Sequence, residues 1–118
     1  HVAHNVLIGE DCIFTCGMQV AGSTRIGNRV MTSGQTGMLN HLTIGDDAVF
    51  LLRSGVVTDV PAGAVYAGIP ARPHKEFVKN FAAHERLAEI RKTVRELEHK
   101  IAALEAGNGK KPGKANRK

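Results

Sequence analysis

The feature that most constrains this chain is a repeat of six. Stepping from Val2 gives Val2, Ile8, Phe14, Val20, Ile26, Thr32, Met38, Ile44, Phe50 and Val56, apolar everywhere but Thr32. Four residues after each leading residue stand Val6, Cys12, Met18, Thr24, Val30, Thr36, Leu42, Ala48, Ser54 and Val60, all small or apolar. Gly or Ala follows the leading residue at Ala3, Gly9, Ala21, Gly27 and Gly45, and polar pairs such as Glu10 and Asp11 fall where turns belong. A period of six fits neither the 3.6 of a helix nor the strict alternation of a hairpin. It fits a coil with three flat walls, six residues to a wall, whose strands bond to the coils above and below at about 4.8 Å. The leading residue of each hexad points inward, and small residues let the chain turn the corners. Thirteen Gly against four Phe, one Tyr and no Trp suit such repetitive packing of small side chains better than an aromatic core.

The expected fold class is therefore mainly β, a parallel β-helix of hexapeptide repeats followed by a C-terminal α-helical extension. Coils occupy residues 1–61, as about three turns and part of a fourth. So few turns leave an exposed edge at each end, and further coils upstream are expected. Gly63, Gly68, Pro70 and Pro73 break the period and mark an exit loop over 62–73. Helix is expected over 74–105, where Leu87, Ile90, Val94, Leu97, Ile101 and Leu104 are spaced 3, 4, 3, 4, 3. That stripe calls for packing against another helix, between subunits or back onto its own.

The formal charge of +5 is misleading, because Lys110, Lys111, Lys114, Arg117 and Lys118 supply all of it. Residues 106–118 read as a disordered basic tail, solubilising in character. No aromatic residue is interleaved with those charges for stacking on bases, so no nucleic-acid partner is expected. No apolar run approaches the roughly 20 residues of a membrane span, and no signal peptide is visible. The two cysteines, Cys12 and Cys16, have neither the number nor the spacing of a zinc site or a disulfide framework. Both read as reduced thiols, Cys12 facing inward, which suits the cytoplasm.

The coil also locates a candidate site. His4 lies at a corner, outside the packed interior. Eighteen residues on, in the same column, is Gly22, and eighteen further is Asn40 with His41 beside it. His4, the Gly22 backbone and the Asn40–His41 pair should line one edge, roughly 5 Å and 10 Å apart. A base beside a bare main-chain N–H is an arrangement suited to acyl transfer, and a Gly lets a substrate carbonyl approach the main chain. Metal is not expected, since His4 and His41 lack a suitable third ligand.

The stretches "VAHNVLIG", "VAGSTRIG", "GQTGMLNHLTIGDD", "SGVVTDVPAGAVYAGIPARP" and "RLAEIRKTVRELE" resemble the UDP-3-O-acylglucosamine N-acyltransferase family of lipid A biosynthesis over residues 1 to about 105. The resemblance implies a left-handed β-helix and a homotrimer with sites between subunits. It implies transfer of a 3-hydroxyacyl group from acyl carrier protein to the 2-amino group of UDP-3-O-acylglucosamine. There is no metal or resident cofactor, and the phosphopantetheine belongs to the donor. On these motifs His4 is the general base, Gly22 the oxyanion donor and His41 a secondary site residue, with Asn5 and Asn40 near the substrate. Arg72, Lys75 and Lys79 are candidates for meeting the acidic carrier protein. The chain departs from the family pattern at Asn40, where Gly is usual, and at Leu51, Leu52 and Arg53, where small or amide residues are common. Two other readings remain. One is another hexapeptide-repeat acyltransferase, either a UDP-N-acetylglucosamine O-acyltransferase or a coenzyme A-dependent sugar N-acyltransferase. The other is a non-catalytic trimeric scaffold fragment.

Overall fold

Strands of only two residues recur every six residues through the first part of the chain. The structure is a computed structural model that describes residues 1–108. One wall is built from β1 (Leu7–Ile8), β4 (Arg25–Ile26) and β7 (Thr43–Ile44). The next holds β2 (Ile13–Phe14), β5 (Met31–Thr32), β8 (Val49–Phe50), β10 (Val65–Ala67) and β11 (Arg72–Pro73). The third holds β3 (Gln19–Val20), β6 (Gly37–Met38) and β9 (Gly55–Val56). Pairing through these coils is parallel and offset by eighteen: Leu7 with Arg25 and Arg25 with Thr43, Ile13 with Met31 and Met31 with Val49, Gln19 with Gly37 and Gly37 with Gly55. The chain is thus a parallel β-solenoid of about three turns followed by helix.

The repeat is also written in the backbone. Asn5, Asp11, Ser23, Arg29, Gln35, His41, Asp47 and Arg53 all hold φ between 55° and 63°, and Gly17 takes the same place at 71°. A left-handed corner costs a non-glycine residue roughly 1–2 kcal/mol. From Ser23 on, each corner is held by the coil above, since its N–H donates to that coil's carbonyl: Ser23 to His4 at 3.0 Å, Gln35 to Cys16 at 2.9 Å, His41 to Gly22 at 3.1 Å.

Inside, the leading residues from Val20 to Val56 are buried, with Val30, Ala48, Thr24 and Thr36 filling the space beneath the corners. Val2 and Ile8 differ from the expectation. They are 47% and 41% exposed, because no coil covers them from above. Cys12 is half-buried against the core with its thiol 3.2 Å from the Gly27 carbonyl, Cys16 is exposed, and both are free.

The period of eighteen fails in the fourth turn. Val60 bridges Ile44 and Tyr66 pairs with Phe50, both offsets of sixteen. Two residues are lost at the corner after Val57. Val60 therefore occupies the place of a leading residue, not the trailing one its hexad position suggested. The Asp59 carboxylate helps close this shorter corner by accepting from the Thr43 N–H at 2.8 Å. The segment 62–73, expected as a loop, contains β10 and β11, which pair antiparallel through Tyr66–Pro73 and Ala67–Arg72. Gly68 between them has φ 89°, and a Cβ there would lie 2.6 Å from the Phe77 ring. Left-handed backbone and close approach both demand glycine.

The chain divides into two compact units, His1–Phe81 and the part from Ala82 on. Helix α1 (His74–Glu85) spans the boundary, and α2 (Leu87–Asn108) belongs to the second unit. The six stripe residues on α2 are 45% to 68% exposed in the single chain. Helix α2 runs three residues beyond 105, into the segment expected to be a tail, and the rest of that segment, 109–118, lies outside the described residues.

Candidate functional site

The corner between the third wall and the first carries His4, Gly22 and Asn40 in one column, and Asn5, Ser23 and His41 in the next. This follows from the offset of eighteen that holds on both flanking walls. Sequence spacing had put these groups on one ridge, and the coil places them there. The contact between His4 and Gly22 is direct. A Cβ built on Gly22 would lie 2.6 Å from His4 Cε1, 2.7 Å from Nε2 and 3.2 Å from Nδ1. The imidazole therefore lies over the glycine, with its Cε1–Nε2 edge closest. Gly22 is not among the positive-φ glycines, which are Gly17, Gly63 and Gly68. It is glycine because the ring sits on it, not because the backbone is left-handed.

The Gly22 N–H also differs from its counterparts at one neighbouring corner, a difference it shares with the amides of Cys16, Gly34, Asn40 and Leu52. At the corner between the first and second walls, the equivalent amides are capped from the coil below: Glu10 N–H donates to Asn28 Oδ1 at 2.8 Å, and Asn28 N–H to Asp46 Oδ1 at 2.9 Å. That corner is further clipped by Arg29, which donates to both Asp47 oxygens at 2.7 and 2.8 Å. The hydrogen bond from Arg29 holds the Asp47 carboxyl below the usual carboxylate range and raises the pKa of Arg29 itself. At the His4 corner no acceptor among the described residues engages the Gly22 N–H. Asn40 occupies the place from which a side chain could cap it and does not. The result is an unbonded main-chain donor on a buried glycine beneath an exposed imidazole, with Asn5 at 3.4 Å from His4 Nδ1.

His41 is exposed, and its N–H is committed to the Gly22 carbonyl, which braces the corner. Below the corner the third wall carries a groove of about 490 Å³, lined in part by Ala3, Ala21, Leu39, Val57, Gly37 and Gly55. Nothing lies within 4 Å of a Cβ added at Gly37, so the groove floor is bare main chain there. Sequence reasoning missed this groove. Its signal was two glycines eighteen apart in strand positions, Gly37 and Gly55, where the other walls carry side chains. Arg72 on β11 and Lys75 and Lys79 on α1 are exposed and stand outside the His4 column. Among the described residues no three His, Cys, Asp or Glu side chains cluster closely enough to hold a metal ion.

A stack of eighteen-residue coils built from hexads, with left-handed corners, defines a hexapeptide-repeat β-solenoid. No family model matches the chain. Curated relatives do. A UDP-3-O-acylglucosamine N-acyltransferase of Methylococcus capsulatus is 45% identical over 88% of this chain and 29% of its own length. The enzyme of that name from Methylobacterium nodulans is 40% identical over 75% of this chain and 27% of its own length. Another, from Sulfurimonas denitrificans, is 42% identical over 65% of this chain and 25% of its own length. The chain is a homologue of the C-terminal part of the UDP-3-O-acylglucosamine N-acyltransferases, and it spans less than a third of their length. Among solved structures, a truncated serine acetyltransferase aligns with a TM-score of 0.45 at 22% identity, over 61% of this chain and 42% of that one.

Proposed function

We propose that the protein moves a 3-hydroxyacyl group from the thioester of acyl carrier protein to the 2-amino group of UDP-3-O-acylglucosamine, a step of lipid A biosynthesis. The observation that carries this reading is the His4 imidazole lying on Gly22 beside an uncapped main-chain N–H. The sugar amine attacks the thioester carbonyl. His4 Nε2, on the ring edge nearest Gly22, takes the proton that the amine sheds. Negative charge gathers on the carbonyl oxygen, where the Gly22 N–H donates to it. The carbon–sulfur bond then breaks, and His4 returns the proton to the departing thiolate. A positioned base contributes about 10²–10⁴-fold, and one oxyanion donor about 10²–10³-fold.

The rest of the proposal draws on the groove, the exposed surfaces and the likeness to the curated relatives. The apolar groove beneath Gly22 takes the acyl chain. The donor brings its own phosphopantetheine, so no resident cofactor or metal has a role. Arg72, Lys75 and Lys79 meet the acidic carrier protein, Asn5, Asn40 and His41 frame the acceptor, and the work is done in the cytoplasm. The exposed stripe on α2 packs against copies of itself in a homotrimer, because a row of six half-exposed aliphatic side chains is unfavourable in water. The test is turnover of the purified protein and of His4→Ala, with acyl carrier protein and coenzyme A thioesters offered in competition. Loss of turnover in His4→Ala with an unchanged assembly supports the reading. Near-native turnover refutes the role of His4, preference for coenzyme A moves the donor to the other reading, and no turnover of any thioester leaves a scaffold.

A further inference from the structure

Asn5 occupies one of the left-handed corners, and the bland explanation is that asparagine tolerates that backbone. The other corners weaken it. Arg29, Gln35, His41, Asp47 and Arg53 hold the same φ within a few degrees, so the corner accepts almost any polar residue. What sets Asn5 apart is its side-chain amide, 3.4 Å from His4 Nδ1. The opposite edge of the ring, Cε1–Nε2, is the one that lies on Gly22. The two ring nitrogens are thus separated in role. Nε2 faces the reacting groups and Nδ1 faces Asn5.

A neutral imidazole carries one proton, and only the bare nitrogen can act as a base. If the amide presented its NH2 to Nδ1, as placed in the structure, the ring proton would sit on Nε2. Nε2 could not then accept a proton from an amine. A half turn of the amide, which exchanges two ends of nearly equal shape, puts the carbonyl oxygen at Nδ1. That oxygen accepts from Nδ1–H and leaves Nε2 bare over Gly22. From the proximity of this amide to Nδ1 we propose that Asn5 is a positioning residue, its amide turned so that its side-chain carbonyl holds His4 in the Nδ1–H tautomer and Nε2 is the base. The choice of orientation rests on the acyl-transfer reading, and its test does not.

The test is the nitrogen spectrum of His4 in the full chain, assigned by its loss in His4→Ala. It is recorded at the alkaline end of a pH series, after the nitrogen shifts have stopped changing. Wild type should show the proton on Nδ1, against the preference of free histidine for Nε2–H. Asn5→Gly keeps the left-handed corner without strain and should return His4 to the Nε2–H form. Asn5→Asp, whose carboxylate can only accept, should keep Nδ1–H. In turnover, Asn5→Gly should lose roughly tenfold in kcat with KM little changed, part of what a positioned base supplies, and Asn5→Asp should recover most of it. A wild-type proton on Nε2, or a tautomer indifferent to Asn5→Gly, overturns the proposal. If the acyl-transfer reading itself fails, no variant turns over, yet the spectra still decide the tautomer.

Discussion

Replacing Gly22 by Ala should pull stability and activity in opposite directions. The added methyl would sit 2.6 Å from His4 Cε1 and 2.7 Å from Nε2. Carbon atoms rest at about 3.5–4.0 Å, so the ring must withdraw by about 1 Å. The three nearest atoms all belong to His4, an exposed side chain, and the Gly22 backbone is not left-handed. Removing a glycine at a compatible site stabilises by about 0.4–1 kcal/mol through the unfolded chain. Urea unfolding of Gly22→Ala should therefore give a midpoint equal to or above wild type. Turnover should meanwhile fall about 10²-fold, the scale of a base misplaced by 1 Å. In a His4→Ala background, where the ring is gone, the same methyl should cost far less. The reasoning fails if Gly22→Ala turns over within a few-fold of wild type or loses its folded transition. Equal costs in the two backgrounds would show that the methyl does not act through the imidazole.

The remaining expectations test other levels of the structure. Thr32 carries the one buried side-chain oxygen among the described residues without a hydrogen-bond partner. Thr32→Val should stabilise the fold by about 1–2 kcal/mol in urea melts, since it removes an unpaired buried hydroxyl at constant shape. Asp47 titrates below the usual carboxylate range because Arg29 bonds to it, so its contribution is present above that range and lost as pH falls through the depressed value. Carbon NMR should show the Asp47 midpoint returning to the ordinary range in Arg29→Ala, and an unchanged midpoint would count against the clip. Gly37→Leu places a side chain in the open groove without a clash; it should raise KM for long acyl donors while sparing short ones, and equal effects on both would remove the chain from that groove. Leu97→Asp on the exposed α2 stripe should drive the assembly to monomer in sedimentation, whereas an unchanged mass would mean that the stripe is not the contact.

Much of the site was legible because the coil turns sequence distance into a column. Once eighteen residues make a turn, His4, Gly22 and Asn40 must share one column of a corner, and Asn5, Ser23 and His41 the adjacent column of the same corner. The groove was not legible, because a glycine in the sequence does not say whether the space above it is filled. At Gly17 a Cβ would meet Gln35, and at Gly45 it would meet Ala62, but at Gly37 it would meet nothing. The two-residue shortening of the fourth turn was also hidden, since Val56, Val60 and Val65 read as apolar in either register.

By itself the sequence determined the walls, the period and the inward residues. Burial selects residue type at each hexad position, and a regular fold makes that selection periodic. The tertiary structure alone decided which corner amides are capped. Glu10 and Asn28 have theirs capped by a side chain one coil below, while Gly22 does not. That difference depends on where one side chain of the next turn points, a matter of angles between residues eighteen apart, which residue type does not encode.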